Sequence, residues 1–559
     1  MIYEELKHIQ RKFGYIPPDE MAALARRINV PLYRLHSVAS FYPHFQLTPP
    51  AKADVRICAD MSCHLCGGDD LKTGLLMRFA GTPGSEVTFR DVSCLGRCDG
   101  APSISINDKI YRNVTAQKAR EMIRGVLEGE RLPDEEGDAD HERPHLLTDP
   151  YPGPEKYGVL RRLVLTQDWD GALAMLKEAD LRGLGGAGFS TEMKWQMVRR
   201  QPGAEKYIVC NADESEPGTI KDRFIMTHLP YLVIEGMILG GLIVGAKKGY
   251  IYIRHEYDEQ EHILKEEIRR CYRDHILGEN LLGTAHKFDL EVFVSPGGYI
   301  CGEESALLEA MEGKRAEPRN KPPFPGQAGL WDKPTVLNNV ETFLNVPVIL
   351  GHGVEWYKAQ GKGGAFGLKF VGVSGRVKNP GVFEVPMGTP SGEVILGLAG
   401  GPPNGKRFKG WAPSGPSSGY LPASMAEVRL DFKSLGAPGV DSMLGSGAIV
   451  VCDEDTCMLD MALNSVRFFR NESCGKCVPC RVGSQKLVEL LSGWTKGRGR
   501  KEDLGLLDEL SEAMMLASIC GLGQFTPYPI RSVVRNFREE IEAHILQHTC
   551  PAGVCPMRE

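Results

Sequence analysis

Apolar residues at the front of the chain recur at helical spacing. Ile2, Leu6, Ile9 and Phe13 fall on one face, and Pro17-Pro18-Asp19-Glu20 places proline and acids where a second helix would begin. Residues 1–50 therefore read as short helices. From Val55 to about Leu127 the pattern changes to short strands and helices, as in Ala53-Asp-Val-Arg-Ile and Glu86-Val-Thr-Phe, which predicts a domain over 51–127. Apolar residues then almost vanish. Glu128, Glu130, Asp134, Glu135, Glu136, Asp138, Asp140 and Glu142 crowd a proline-containing stretch, read as a solvated acidic linker over 128–152. Residues 153–355 alternate strand-like and helix-like segments between Gly and Pro loops. Leu368 to Gly401 reads as β hairpins turning at Asn379-Pro380-Gly381, inside a unit of 365–445. From about Cys457 to His548 helical spacing returns, as in Leu487, Leu490 and Leu491, and Phe537, Ile541 and Ile545, within a helical domain drawn over 446–548, with a cysteine-containing tail at 549–559.

A chain of 559 residues has room for several domains of about 100–200 residues each. A net charge of −6 without a basic block excludes a nucleic-acid footprint. The N-terminus begins an amphipathic helix rather than a signal peptide. The most apolar stretch, residues 236–246, is far short of the ~20 residues a membrane helix needs. A cytoplasmic protein is expected. In a reducing compartment its 16 cysteines are not expected to form disulfides, and those that cluster read as metal ligands.

The thiols fall into sets. ESCGKCVPCR holds Cys474, Cys477 and Cys480, and Cys520 in SICGLGQFTP supplies a fourth attachment point for a [4Fe–4S] cubane; a zinc knuckle is the alternative. Pro479 is expected to end any helix within this loop. Cys58-x4-Cys63 and Cys94-x3-Cys98 are two pairs suited to a [2Fe–2S] rhomb or to zinc, with Cys66 a spare that leaves the first pairing open. The tail supplies Cys550 and Cys555. These are either free thiols on a frayed end or, with Cys457 and His544, ligands of a structural zinc. Cys210, Cys271, Cys301 and Cys452 read as packing residues.

LRGLGGAGF gives Gly183-x-Gly185-x-x-Gly188, formally a dinucleotide fingerprint. A helix-like segment precedes it where a Rossmann unit needs a strand, which points to a phosphate loop of another fold. A helix N-terminus at Thr191 and the Lys194 cation favour an anion there. Asn211, Asp213, Glu214 and Glu216 follow in YIVCNADESEPGT, then Glu303 and Glu304 at a helix start, then Asn338-Asn339. Such amides and carboxylates suit a ribityl chain, a ribose or a heterocycle, although the two glutamates could simply cap the helix.

Together RGLGGAGFSTEMKW, CNADESEPGT, GGYICGEESAL, PRNKPPFPGQAGLWDKPTVLNNVETF and ESCGKCVPCR resemble the NADH-oxidising flavin subunit of respiratory complex I. That family is shared by NAD-linked formate dehydrogenases and by bidirectional [NiFe]- or electron-bifurcating [FeFe]-hydrogenases. FGYIPPDEMAALARRINVPLYRLHSVASFYPHF, followed by C-x4-C and CLGRC, resembles the thioredoxin-like [2Fe–2S] subunit of the same module. The resemblance implies two fused subunits in an α/β multidomain chain. Its parts would be N-terminal helices with a thioredoxin-like domain, an α/β FMN/NADH-binding domain that is not a standard Rossmann unit, a ubiquitin-like β-grasp domain, and a C-terminal helical bundle with [4Fe–4S].

By the same resemblance Gly183, Gly185, Gly186, Lys194, Asn211, Asp213, Gly302, Asn338, Asn339 and Thr342 would hold FMN. Phe189, Lys194, Glu216, Glu304 and Phe324 would meet NADH. Glu214, Tyr299 and Glu303, in the same motifs, complete the cofactor-binding set. Cys474, Cys477, Cys480 and Cys520 match the [4Fe–4S] ligands; Cys58, Cys63, Cys94 and Cys98 match the [2Fe–2S] ligands, leaving Cys66 out. The family usually has Arg where Leu184 stands and Pro where Ser190 stands, which would leave Lys194 more of the phosphate's charge. Hydride transfer needs no nucleophile or acid–base pair, so no catalytic residue is expected. The chain would be a diaphorase subunit serving a larger iron–sulfur partner, most closely the β subunit of molybdenum- or tungsten-dependent, NAD-linked formate dehydrogenase beside its α subunit. The rivals are the diaphorase of an NAD-reducing or bifurcating hydrogenase and a non-catalytic electron-relay scaffold.

Overall fold

A computed structural model describes residues 2–135, 137–138, 145–203 and 205–557. The helices Ile2–Phe13, Pro18–Arg27 and Leu32–Ala39 form where expected. They dock on the central α/β domain: Tyr3, Leu6 and Ile9 share a core with Tyr252, Phe293, Leu307 and Met311.

The thioredoxin-like unit is a sheet of four strands, β1 (Ala53–Cys58), β2 (Val87–Val92), β3 (Ile104–Ile106) and β4 (Lys109–Tyr111), in the order β2-β1-β3-β4. The β1–β2 pair is parallel and the rest antiparallel. The stretch after it is not a fully solvated linker. Glu128 ends the helix Ala116–Glu128, and Glu135 accepts from Ile110 N at 2.8 Å. Asp138 is buried, at 2.6 Å from Arg112 and 2.8 Å from Arg223. Burial would raise the Asp138 carboxyl, but Arg223 and Arg112 outweigh it and hold it below the usual range. Further on, Glu384 accepts from Leu147 N and Thr148 N. Asp138 answers arginines of two domains, which composition alone does not reveal. Glu136, Asp140 and Glu142 lie outside the described residues.

The central domain carries four parallel strands, β5 (Tyr207–Ala212), β6 (Lys248–Arg254), β7 (Asp289–Ser295) and β8 (Thr335–Asn339), ordered β7-β6-β5-β8. Strand β5 is nearly all apolar, as a parallel strand covered on both faces must be. The apolar stretch at 236–246 lies mostly in a core helix, Pro230–Val244, buried on almost every face. Among the described residues no single helix is long and apolar enough to cross a membrane; the helix pair Lys221–His228 and Pro230–Val244 bends by 93°.

The β-grasp unit is a five-stranded sheet of β9 (Leu368–Gly375), β10 (Gly381–Pro386), β11 (Phe408–Pro416), β12 (Leu421–Pro422) and β13 (Ala448–Asp453), ordered β10-β9-β13-β11-β12. Two expectations are corrected here. Only β9 and β10 form a hairpin within 368–401; Glu393–Leu398 is helical. Strand β13 is the middle strand of this sheet, not the start of the helical domain at 446, because AIVVCD is buried throughout between β9 and β11. The helical domain begins at Met458. Pro479 is also corrected: it sits in the first turn of the helix Val478–Trp494, where its missing N–H costs nothing, and starts the helix rather than ending one.

Candidate functional site

The strand order reverses between β5 and β8, and ligands of open parallel sheets bind beyond the strand C-termini at such a switch point. Asn211 and Asn339 stand there, at the ends of β5 and β8. The glycine loop packs against them. Gly183 N donates to Phe189 O at 2.8 Å, and Leu184 N donates to the buried Thr342 Oγ1 at 2.9 Å. The loop leads into the helix Thr191–Arg200, whose first-turn amides are capped by Ser190 Oγ accepting from Met193 N. Gly185 approaches Asn339 so closely that a Cβ there would lie 2.7 Å from Asn339 Cβ. This is a cradle built of bare backbone, the shape and chemistry a phosphate requires.

The remaining predicted residues divide by what the protein already asks of them. Asn211 Nδ2 donates to Gly302 O at 2.8 Å, which draws the segment from Gly297 to Glu304 over the crevice. Asn339 is tied on several sides, to Lys221, Asp222 and Glu341 N. Asn338 Oδ1 accepts from Trp195 Nε1 at 3.0 Å. Glu214 is fully engaged: its carboxylate accepts from Asp222 N, Arg223 N and Tyr257 OH. Glu303 caps its helix through Ser305 N and Ala306 N, the simple role its position allowed. Lys321 bridges Glu303 and Glu304 at 3.0 and 2.6 Å. Lys194 Nζ donates to Leu337 O at 2.8 Å, and burial lowers its pKa. Burial pushes the carboxyls of Asp213 and Glu216 up to about 7. Glu216 accepts from Ser417 N at 3.0 Å and from Tyr299 OH at 3.3 Å. Phe189 and Phe324 remain 44% and 49% exposed, rings unpaired with protein core and free to stack on a ligand. Leu184 explains its own departure from Arg: it is buried in the β-grasp core with Val371, Leu435 and Ile449.

Two thiol sets converge. Cys58, Cys63, Cys94 and Cys98 are all buried. Cys94 Sγ and Cys98 Sγ are 3.3 Å apart, and Cys63 and Cys94 both push the Cys58 thiol up. Cys66 points elsewhere, toward Gly375 O. Cys474, Cys477, Cys480 and Cys520 line one cavity with Ile300, Pro318 and Leu522. Burial raises Cys480 to about 11 and Cys520 to about 12. Among the described residues, only Cys457, His544, Cys550 and Cys555 bring three or more ligand atoms within 4.8 Å of one another. The cavity thiols are thus spread too widely for one tetrahedral zinc, whose thiolates stand about 3.8 Å apart given Zn–S of about 2.3 Å. A cluster fits them. In the tail set, Cys457 Sγ lies 3.5 Å from His544 Nε2 and 3.6 Å from Cys555 Sγ. His544 Nδ1 lies 2.7 Å from Glu540 O, which orients Nε2 inward.

Residues that sequence reasoning missed hold the [2Fe–2S] loops to the other domains. Arg254 donates to Cys94 O and Arg223 to Gly96 O. Asn464 contacts Met61 N and Ala59 O, Ser62 meets Ser374, and His64 meets Asp460. An arginine closing a strand or opening a helix carries no local signal of this role.

The chain matches four known families: the Nuo51 FMN-binding domain over residues 176–348, the thioredoxin-like [2Fe–2S] ferredoxin over 1–127, the NADH-ubiquinone oxidoreductase-F iron-sulfur binding region over 460–544, and the SLBB domain over 370–421. It is 44% identical over 392 residues to the HndC component of the NADP-reducing hydrogenase of Solidesulfovibrio fructosivorans, covering 70% of this chain and 79% of that one. It is 42% identical over 407 residues to the second NADH-quinone oxidoreductase-F protein of Rhizobium meliloti (strain 1021), covering 73% of this chain and 96% of that one. A crystal structure of an NAD+-reducing [NiFe]-hydrogenase in the H2-reduced state superposes with a TM-score of 0.87 at 32% identity, over 98% of this chain and 94% of that one. The chain belongs to the NADH-quinone oxidoreductase-F family of diaphorase-type flavin and iron–sulfur proteins, with a thioredoxin-like [2Fe–2S] ferredoxin domain in the same polypeptide.

Proposed function

We propose that the crevice between β5 and β8 binds FMN and admits NAD(H), and that the chain connects this site to [2Fe–2S] and [4Fe–4S] centres and thence to a larger catalytic subunit. The observation that carries the reading is the meeting of the glycine cradle, Asn211, Asn339, Asp213 and Glu216 at one strand switch point. FMN, when bound, takes two electrons together and releases them singly, the conversion that joins a hydride donor to iron–sulfur clusters. The residues of the chain contribute position. Gly183, Gly185 and Gly186 and the helix start at Thr191 cradle the phosphate; Asn211, Asn338 and Asn339 address the ribityl side. Phe189 and Phe324 stack on NAD(H), and Lys194, Glu216 and Glu304 meet its polar groups. Cys58, Cys63, Cys94 and Cys98 hold one cluster, and Cys474, Cys477, Cys480 and Cys520 the other. The full chain loaded with FMN is expected to reduce an artificial acceptor with NADH. Lys194→Gln should lower that rate at least about tenfold, 1.4 kcal/mol, with cluster content unchanged. Intact clusters in a chain with no affinity for FMN would instead support a relay scaffold.

As to the partner, the first reading, carried by the resemblance of the sequence motifs, is the α subunit of a molybdenum- or tungsten-dependent formate dehydrogenase; the fused domain order does not separate it from a hydrogenase, which shares that order over 98% of this chain. A hydrogenase partner is the second reading, favoured by the likeness to HndC and to the NAD+-reducing [NiFe]-hydrogenase. Purifying the native complex separates them: molybdenum or tungsten with formate-dependent NAD+ reduction supports the first, nickel or hydrogen-dependent reduction the second.

The tail set supports a structural zinc held by Cys457, His544, Cys550 and Cys555, which would pin residues 549–557 to the helical domain. Cys550→Ser is expected to remove zinc and lower the thermal midpoint of that domain. Zinc content equal to the parent's in that variant would rule the site out.

A further inference from the structure

Glu216, Pro217, Gly218 and Thr219 form a turn closed by Thr219 N donating to Glu216 O at 3.0 Å. Proline at the second position and a glycine with φ of +94° at the third are what a type II turn requires. The two ends of this turn belong to different sites. At one end the Glu216 carboxylate is held by Ser417 N and Tyr299 OH beside the crevice. At the other, Gly218 N–H crosses a domain boundary and donates to Cys98 Sγ at 3.3 Å. The same loop is tied to the backbone of the neighbouring ligand: the Arg254 guanidinium donates to Glu214 O at 2.6 Å and to the Cys94 carbonyl oxygen at 2.5 Å. An N–H aimed at a ligating sulfur stabilises the added negative charge of a reduced cluster and raises its potential.

We propose that this turn couples the two sites, so that nucleotide engaging Glu216 weakens the Gly218 N–H contact to Cys98 Sγ and lowers the reduction potential of the [2Fe–2S] centre. The inference rests on the reading that Glu216 meets the nucleotide. A ligand that engages Glu216 pulls on a carboxylate already held by Ser417 N and Tyr299 OH. Pro217 makes the turn stiff, so the displacement passes to the next peptide rather than dissipating. Little slack exists at the far end, where a Cβ on Gly218 would lie 2.7 Å from Val450 Cγ2. Reciprocity follows: reduction of the centre must loosen nucleotide by the same factor by which nucleotide disfavours reduction.

The test is a mediated redox titration of the full chain, carrying FMN and both clusters, followed by the electron paramagnetic resonance signal of each cluster. It is run with and without 1,4,5,6-tetrahydro-NAD, which has the shape of NADH and no hydride to give; its binding is measured separately by calorimetry. The [2Fe–2S] midpoint is expected to fall by about a three- to tenfold change in its one-electron equilibrium, tenfold being about 59 mV. The [4Fe–4S] midpoint should move far less, since its thiols do not touch the turn. Gly218→Ala should lower the [2Fe–2S] midpoint without any nucleotide, and Val450→Ala added to it, by removing the clash, should return part of the loss. Bound analogue with no shift, or an equal shift in both clusters, overturns the coupling and leaves the nucleotide reading standing. An analogue that fails to bind overturns both. A loaded Gly218→Ala chain with the parent's midpoint also overturns the coupling.

Discussion

Gly185→Ala is expected to yield a folded chain with markedly weakened hold on its flavin. The new Cβ would lie 2.7 Å from Asn339 Cβ and 3.1 Å from Asn339 Cγ, so one partner must move. Asn339 cannot: its amide group donates to Asp222 at 2.6 Å and accepts from Lys221 at 3.2 Å and from Glu341 N at 3.0 Å. The glycine loop is the part that shifts, and with it the amides that face the phosphate. Overpacking of this kind costs about 1–3 kcal/mol, or about five- to 150-fold in FMN affinity. Titration of the apo-chain with FMN, followed by quenching of flavin fluorescence, measures it. Gly183→Ala supplies the contrast, because its nearest neighbour would be 3.7 Å away, an ordinary contact. It should fall far short of the Gly185 effect. Equal losses from the two substitutions would mean that the cradle is not set by its approach to Asn339.

Much of this arrangement was legible from the residues. Thiol spacing pointed to both sets but left Cys66 open in the first, which only the resemblance set aside; the helix-like segment before the glycine loop argued against a Rossmann unit, and the loop indeed precedes the helix Thr191–Arg200 and only then β5. Pattern failed where long-range partners decide. The run AIVVCD looks the same whether it starts a helical domain or fills the middle of a sheet; only its pairing with β9 and β11 places it. Pro479 can stop a helix or start one, and the choice depends on where the chain enters. Asp138 reads as solvated until Arg112 and Arg223 arrive from other domains. Glu214 stands among similar acids in one motif, yet it alone is consumed as the cap of Lys221–His228. A motif identifies a neighbourhood; the distribution of duties within it follows from burial and from which amides lack partners.

The least legible feature predicts the second large effect. Lys369 lies on β9 in the β-grasp unit and is completely buried, with its Nζ 2.5 Å from Glu341 of the central domain. Lys221 stands 3.0 Å from the same carboxylate and 2.6 Å from Asp222. Two cations and two anions are therefore buried together between domains. Burial brings Lys369 down to about 8, with Glu341 opposing; burial also depresses Lys221, but Asp222 and Glu341 carry it above the ordinary lysine value. Lys369→Met leaves Glu341 facing Lys221 alone and strips an uncompensated charge bare, which costs about 3–5 kcal/mol. Urea unfolding should show stability lower by that amount. Because Lys221 and Asp222 also grip Asn339, FMN affinity should fall as well. Adding Glu341→Gln to Lys369→Met restores charge balance and should recover part of the stability, a coupling that independent sites would not show. Purely additive losses in that cycle would mean that the two domains are held by their apolar contacts and not by this pair.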